Sequence, residues 1–580
     1  MDGYGSILDG HRLTVVANKS PEPIAFSRNA GGLEDAMLGY MLSKDPQNRK
    51  GLWIGVVRDP DFVDTRLTKI LDGYLFQKGV FIDDALHVGH YIDASNRTRW
   101  PRDHQKQYDM NAMINFLESN MDKIPHLKRY ATRQLKNPNE PFYLQKPRFS
   151  LRTNEDYEEV CKRCASAVLE EILPEYVNND VVLIEDYQVR HVAMSLSDQS
   201  NRSLPIGYFH HTPIPPYEVT KKTNEGNAKA RQIHIQDQVA DLHYLTFGVH
   251  TTEYLENKIA SYEAERDQPH LRENIIDIEQ ISENVYRIRH KFTQKGVTYF
   301  FAEPIGVNPE QIIQDASNEN DISFVLTSGH RLERIIKDCK NNNIPLFVGL
   351  DRAEINDGIY ERLLAFDAAL RKGEPLVSIN YAIPTRPGIR EYTKFLHMLH
   401  DVERKVNDYH RGKRGHENLR KIFDLGLSPI YIEEEKITPP ERDMVRRRVP
   451  EIVSATRSGQ KITALMHIIA NASNPGENFT IVSKGAGVYE QLAQYDDGLH
   501  GIVGADFFNP EETASLIIET LNNPRNRHSK DVIQDTIRRS VDRWMQFKIG
   551  ITVAAFNGDS AVEEFLKNFE SSYSVSSIRN

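Results

Sequence analysis

At 580 residues the chain is too long for a single hydrophobic core, and its 39% hydrophobic and 27% charged content is that of an ordinary folded protein, which excludes a disordered chain and predicts two large domains. A formal net charge of -10, with acidic and basic residues interspersed, supplies no basic stripe for a phosphate backbone, so nucleic acid is not an expected partner. No apolar run approaches the roughly 20 residues that cross a bilayer, so no membrane segment is expected either.

In chain order, short β-branched runs alternate with longer amphipathic stretches, the pattern of parallel sheets covered by helices. Arg12 to Ala17 reads as the first strand, followed by a loop and a helix starting near Gly32. The segment 102–153 breaks the rhythm: charged, proline-punctuated and partly helical, it reads as an insertion. Cys161 and Cys164 fall inside a helical pattern from Tyr157 to Leu173 with no partnering Cys or His nearby, and read as two ordinary helix thiols rather than a redox pair or half a zinc site. With Cys339 they make three cysteines, too few for a disulfide framework. The N-terminus also lacks the regions of a signal peptide, and a cytoplasmic location is expected.

Val181 to Ile184, Pro205 to Phe209 and Tyr244 to Val249 read as further strands of the first half. Ala264 to Glu279 is charged at helical spacing and reads as a solvated helix face, as does Asp401 to His416. After Pro304-Ile305-Gly306-Val307 the pattern restarts, with strands expected at Ile322 to Leu326, Leu346 to Gly349, Leu376 to Ala382 and Phe479 to Ser483. The fold class is therefore α/β, with two Rossmann-like domains at 1–305 and 306–550 and a C-terminal tail at 551–580. Ligands of such sheets bind beyond the carboxyl ends of the strands, and the cleft between two facing domains is the expected site.

The motifs arrive in a specific order: Val16-Ala17-Asn18-Lys19, Asn29-Ala30-Gly31-Gly32-Leu33, Gly51-Leu52-Trp53-Ile54-Gly55, Tyr91 to Trp100-Pro101, Ile184-Glu185-Asp186-Tyr187, Phe209-His210-His211-Thr212-Pro213, Pro304-Ile305-Gly306 and Pro384-Thr385-Arg386. This order resembles the trehalose-6-phosphate synthase family of retaining glycosyltransferases, from about Leu13 to about Gly550 with the insertion unmatched. The resemblance implies the two-domain GT-B architecture, no cofactor and no metal. It also implies a helix from Val532 to Ile549 closing the second domain. A sugar phosphate or cyclitol phosphate is the implied partner, a sugar nucleotide is an optional one, and homo-oligomerisation is left open.

On the acceptor side, Tyr91 and Trp100 match the aromatic hydroxyl and indole that contact the phosphorylated sugar, and Arg386 matches the arginine that binds its phosphate. A planar fork of donors suits that phosphate. Lys19 stands where the family usually has arginine, keeping the charge and losing the fork. Asp186 matches the aspartate near the acceptor hydroxyls and His211 the histidine near the donor sugar ring, which makes these two the expected catalytic pair. Two departures stand beside them: Glu185 occupies a position that is commonly histidine, and Val56 replaces a tryptophan.

On the donor side, the Gly31-Gly32 pair lets backbone approach a ligand and offers N–H groups at a helix start, although a Gly-Gly turn is more often only a turn. The family meets the developing diphosphate charge with an arginine and a lysine after a strand of the second domain. Here Gly349 falls on the arginine position. The lysine position falls near Glu354, with an insertion before Gly358 that blurs the register, and Glu354 and Asp357 add negative charge beside the matching Asp351. Arg352 could turn inward as a substitute cation or lie at the surface. The family motif Arg-Asp-Gly-Met-Asn-Leu-Val appears as Arg457-Ser458-Gly459-Gln460-Lys461-Ile462-Thr463, and Met466 replaces the glutamate that holds the ribose. Ser483 opens a loop, Ser483 to Val488, that still resembles its counterpart. The expected function is thus a divergent transferase acting on a phosphorylated sugar or cyclitol with a non-standard donor or donor mode, like the pseudo-glycosyltransferases that join cyclitols. Ordinary UDP-glucose-dependent synthesis is doubted. The alternatives are an inactive phosphosugar-binding or regulatory protein and a different reaction on the same fold.

Overall fold

The structure is a computed structural model. It describes residues 12–17, 41, 51–57, 66–70, 73–81 and 151–172, and from 180 to 573 all but 200–203, 225–227, 318–328, 385–389, 413–416, 436, 438, 457, 474, 477 and 524–525. The chain divides into two compact units. One takes in the described residues up to Pro304 together with Asp542 onward, and the other holds Ile305–Val541.

The first unit is built on a ten-stranded sheet. Its strands are β1 (Arg12–Ala17), β2 (Gly51–Val57), β3 (Arg66–Ile70), β4 (Gly73–Phe81), β5 (Asp180–Glu185), β6 (Ile206–Phe209), β7 (Thr246–Val249), β8 (Ile275–Ser282), β9 (Val285–His290) and β10 (Val297–Ala302), in the order β3-β4-β2-β1-β5-β6-β7-β10-β9-β8. From β4 to β10 every pairing is parallel. Every residue of β5, β6 and β7 is buried, as parallel strands covered on both faces require. Their side chains, among them Val182, Ile184, Tyr208 and Phe247, pack with Val16, Ile54 and Phe300 into one core. The helix Leu151–Ile172 contributes Tyr157, Cys161 and Cys164 to that core. Burial pushes the Cys164 thiol up to about 12, so it is an inert core residue.

Antiparallel strands close both edges, β3 on β4 and β9 and β8 beyond β10. Here an expectation is corrected: Ala264 to Glu279 is not one charged helix face. The helix Thr252–Glu265 stops at its beginning, turns follow, and Ile275 onward is strand β8. The charges of β8 are cross-strand partners, with Glu279 on Arg287 and Asp277 on Arg289 at 3.3 Å, so a period of two was hidden under an ionic pattern.

The second unit holds a six-stranded, wholly parallel sheet. Its strands β11 (Leu346–Arg352), β12 (Val377–Ile383), β13 (Ile430–Glu433), β14 (Glu451–Val453), β15 (Thr480–Ser483) and β16 (Ile502–Ala505) run in the order β13-β12-β11-β14-β15-β16. Both helix-covered parallel sheets expected from the sequence are present. The charged stretch after Asp401 belongs to the helix Arg390–Gly412, although His410 is buried against Asp367 at 2.8 Å rather than exposed. The expected strand Ile322 to Leu326, the helix near Gly32, the insertion up to residue 150 and His416 lie outside the described residues.

The expected continuous helix Val532 to Ile549 is two helices, Lys530–Arg538 and Val541–Asn557, broken where Ser540 bridges Val307. The chain returns to the first unit within the second of these. The segment expected as a tail is helical through Asn557 and again over Asp559–Tyr573. In the first unit the helix Val541–Asn557 lies close to the sheet, because a Cβ on Gly207 of β6 would come within 2.7 Å of the Thr246 and Thr552 hydroxyls. Those hydroxyls bond each other at 2.7 Å, and Trp544 meets Phe209 edge-on with ring centroids 5.2 Å apart.

Candidate functional site

Three consecutive parallel strands of the first unit end in polar residues. Glu185 and Asp186 close β5, His210 and His211 follow β6, and His250 follows β7. Their adjacency is set by the ladder: the Asp186 N–H donates to Phe209 O at 2.9 Å and the His210 N–H to Gly248 O at 2.8 Å. The carboxyl ends of such strands are where doubly wound sheets bind ligands.

Asp186 sits at φ 71°, ψ 168°, a region that is essentially reserved for glycine and costs on the order of 1–3 kcal/mol for any other residue. Its Oδ1 accepts the His211 backbone N–H at 3.2 Å. The His211 ring lies between two partners, with Nε2 2.9 Å from Glu185 Oε2 and Nδ1 3.1 Å from His250 Nε2. Lys548, from the helix Val541–Asn557, donates to Glu185 Oε1 and lies over the Trp544 ring, 3.9 Å from its centroid.

Burial governs the charges here. It raises the Asp186 carboxyl above the usual aspartate range, against the opposing pull of His211 and nearby backbone amides. Burial also acts to raise Glu185, but Lys548 and His211 outweigh it and hold the carboxylate below its ordinary value. His250 is pushed well below the usual histidine range, by burial first and then by His211 and Lys548, so its ring is neutral. Lys548 is lowered by burial in spite of Glu185.

The structure therefore brings the expected pair Asp186 and His211 together and adds three groups. Glu185 stood out in the sequence only as a departure, and His250 and Lys548 did not stand out. The signals for those two are slight: His250 follows its strand as the His210-His211 pair follows β6, and Lys548 is a cation in an apolar helical run, Trp544 to Phe556.

In the second unit, of the expected donor residues, Asp351 lies in a closed charge cluster with Asp357, Arg362 and Lys461. Gly349 lies in the middle of β11, and a Cβ there would fall 2.2 Å from the Arg362 guanidinium carbon. Glycine at this position makes room for Arg362, which is fully buried and donates to Asp351 Oδ2 at 2.6 Å, Asn380 Oδ1 at 2.8 Å, Ser454 Oγ at 3.0 Å and Ile452 O at 3.1 Å. Lys461 reaches in from the loop before the helix Thr463–Ala470 and places its ammonium 2.6 Å from Asp351 Oδ1 and 2.7 Å from Asp357 Oδ1. Its backbone has φ 60°, a left-handed conformation costly for a lysine.

Asp351 is held below the usual range: burial opposes its charge, and Lys461 and Arg362 overcome that. Asp357 is raised by burial, with only partial relief from Lys461 and Arg352. Arg352 points outward with 55% of its side chain exposed, 3.4 Å from Glu354 and 4.0 Å from Asp357. Ser458 forms a bridge with Ala486 and accepts the Gly487 N–H at 3.1 Å, which sets it beside the Ser483 loop, where Ser483 Oγ accepts the Gly485 N–H at 3.1 Å. Met466 is buried, and its sulfur accepts from Arg446 at 3.4 Å. Arg446 in turn bonds Asp443 at 2.8 Å and Glu451 at 3.1 Å.

Lys19, Gly31, Gly32, Tyr91, Trp100, Arg386 and Arg457 lie outside the described residues. Among the described residues no group of three His, Cys, Asp or Glu side chains is arranged to hold a metal ion, and no helix is long and apolar enough to cross a membrane.

Residues 139–550 match the family model described as glycosyltransferase family 20. The chain is 21% identical over 574 residues to a Dictyostelium discoideum alpha,alpha-trehalose-phosphate synthase [UDP-forming], covering 95% of this chain and 64% of that protein. It spans only 36% of an Arabidopsis thaliana relative to which it is 24% identical over 68% of its own length. To the 56 kDa subunit of the Saccharomyces cerevisiae synthase it is 20% identical, covering the whole of this chain and 97% of the yeast one. Among solved structures, an Escherichia coli protein bound with UDP-2-fluoro glucose superposes with a TM-score of 0.67 at 18% identity, covering 93% of this chain and 98% of that one. A Burkholderia xenovorans alpha,alpha-trehalose-phosphate synthase in complex with glucose-6-phosphate superposes with a TM-score of 0.63 at 17% identity, covering 97% and 100%. The fold is that of these GT-B enzymes, and with the family model matching well over half of its length the chain belongs to glycosyltransferase family 20.

Proposed function

We propose that this protein is a transferase acting on a phosphorylated sugar or cyclitol, with Asp186 and His211 as its catalytic pair and with a donor held differently from UDP-glucose in its relatives. The observation that carries this reading is the backbone of Asp186. A non-glycine residue held at φ 71°, ψ 168° persists only where the surroundings over-determine it, and such positions cluster at ligand clamps and active sites. The acceptor phosphate would be met by Arg386 and Lys19, and the sugar by Tyr91, Trp100 and the Asp186 carboxylate.

The altered donor mode is supported by the second unit. Its cations, the partly buried Lys461 and the fully buried Arg362, are each bonded to Asp351, and Lys461 also to Asp357, so they are committed within the protein. A diphosphate leaving group needs positive charge left over for it. Where the ribose would be held, Met466 offers a thioether already bonded to Arg446. Asp351, Arg352, Ser458, Ser483 and, from the sequence, Arg457, Gly31 and Gly32 are the groups left to hold a donor.

A second reading, a phosphosugar-binding regulatory protein without catalysis, is favoured by the same self-neutralised cluster. Calorimetric titration separates the two. The proposal expects binding of glucose 6-phosphate or a cyclitol phosphate together with at least one sugar nucleotide from a panel. Sugar-phosphate binding with no response to any nucleotide would leave the regulatory reading standing, and binding of neither class would remove both.

A further inference from the structure

The His211 ring has no nitrogen to spare. Glu185 is a buried carboxylate and can only accept, so the proton between it and His211 sits on His211 Nε2. The other nitrogen, Nδ1, faces His250 Nε2 at 3.1 Å, and a neutral His250 can donate across that gap. With one proton on the His211 ring, the order of donation is His250 Nε2–H to His211 Nδ1, His211 Nε2–H to Glu185 Oε2, and the Lys548 ammonium to Glu185 Oε1. Glu185 and Lys548 are both almost wholly buried, and Phe209 and Trp544 line the ammonium, which lies 4.8 Å and 3.9 Å from their ring centroids. A buried ion pair of this kind gives little net stability, because desolvation offsets most of the attraction, but it can fix one geometry.

We propose that Glu185 and Lys548 are positioning residues: their buried ion pair pins His211 as an Nε2–H donor into the protein, so that the Asp186 carboxylate, and not the imidazole, is the side-chain group this site presents to a sugar. The assignment of a ligand to the site rests on the function proposed above; the pinned histidine does not. A histidine close to a sugar ring acts through a ring nitrogen only if that nitrogen is available, and in this chain both are engaged. Asp186 remains, tied through Oδ1 to the His211 amide and partly exposed. His211 would then act through its backbone N–H, which orients the Asp186 carboxylate, and through its ring, which packs on Phe209 and Trp544.

The test is nitrogen NMR on the full chain with 15N-labelled histidine rings and no ligand present, using His211→Gln to assign the resonance. The proposal expects a His211 ring protonated at Nε2 at neutral pH, with that proton exchanging slowly with water. In Glu185→Gln the fixed tautomer should be lost and exchange should quicken at least tenfold. Removing one charge can unfold a buried pair, so Glu185→Gln with Lys548→Met, which removes both, is the second variant and should show the same loss in a folded protein. A His211 signal that keeps its Nε2 proton and its slow exchange in either folded variant would overturn the proposal, as would a wild-type ring protonated at Nδ1 alone. Because no sugar enters this measurement, it stands or falls separately from the calorimetry. If the ring is pinned, Asp186→Asn should weaken sugar-phosphate binding at least tenfold, and unchanged binding would contradict the role given to that carboxylate.

Discussion

Each unit buries acids beside cations at the carboxyl ends of parallel strands, yet the two arrangements leave different remainders. In the first, Glu185 and Lys548 cancel, and the neighbouring Asp186, a partly exposed residue, sits at a strained backbone position. In the second, Asp351 and Asp357 face Lys461 and Arg362, and among the described residues of that cluster nothing positive is left buried without an acid beside it. Burial alone does not make a binding group. What a site can do for an incoming charge depends on what its own charges have already neutralised, and on that measure the proposed function assigns the sugar to the first unit, while the second unit's cations are already paired.

The largest expected effect tests whether the second cluster is a degraded clamp or a rebuilt interior. Restoring the family residue with Gly349→Arg should not restore a donor site; the new Cβ alone would collide with the Arg362 guanidinium at 2.2 Å, and the loss should be at least about 4 kcal/mol by urea denaturation. A folded variant that gains affinity for UDP-glucose would break the comparison. Next, Lys461→Met strands Asp357 in the interior, takes from Asp351 one of its two cations, and should cost about 3–5 kcal/mol near neutral pH. Adding Asp357→Asn should recover a large part of that loss, because one stranded charge is removed, and a double variant as unstable as the single one would show that Lys461 does not act through the acids.

A smaller effect lies beside Met466 and Arg446. Burial pushes the Glu451 carboxyl from 4.5 up to about 7, against the pull of Arg446. Because the folded chain holds this proton more tightly than the unfolded one, the contribution to stability falls as pH rises from about 4.5 to about 7 and is level above, by roughly 3 kcal/mol in all. Denaturation midpoints across that range should flatten in Glu451→Gln; an unchanged slope would place the titration elsewhere. The smallest expected effect sharpens the first-unit side: Arg386→Ala should weaken glucose 6-phosphate or cyclitol phosphate binding at least tenfold, about 1.4 kcal/mol, in calorimetry.

Much of this was legible in the sequence because parallel strands declare themselves. Val181 to Ile184 and Leu346 to Gly349 are continuous apolar runs, and both are central strands. Asp186 and His211 were legible through their motifs, each placed just past such a run. The strand β8 was not, because its outward residues are ionic partners of β9 and mimic the spacing of a charged helix. Nor were the lysines that pair with acids at the two sites. Lys548 and Lys461 find their acids 363 and 104 positions away in the chain, and no local pattern reports a contact of that separation. Gly349 was read from the sequence as a missing cation. The structure adds what took its place: Arg362, 13 residues on, occupies the space a side chain at 349 would need.

The account turns on whether the second unit's charges are spent. The most direct measurement is transfer of glucose from UDP-glucose to glucose 6-phosphate by the purified full chain, followed as trehalose 6-phosphate. With Gly349 in place of a cation, Asp357 neutralised by Lys461, and Ser458 and Met466 in place of two carboxylates, no appreciable product is expected; losing even one transition-state donor typically costs about 100-fold or more. Robust product that disappears in Asp186→Ala would contradict the account, by showing that Lys461 or Arg352 leaves its acids to meet the diphosphate.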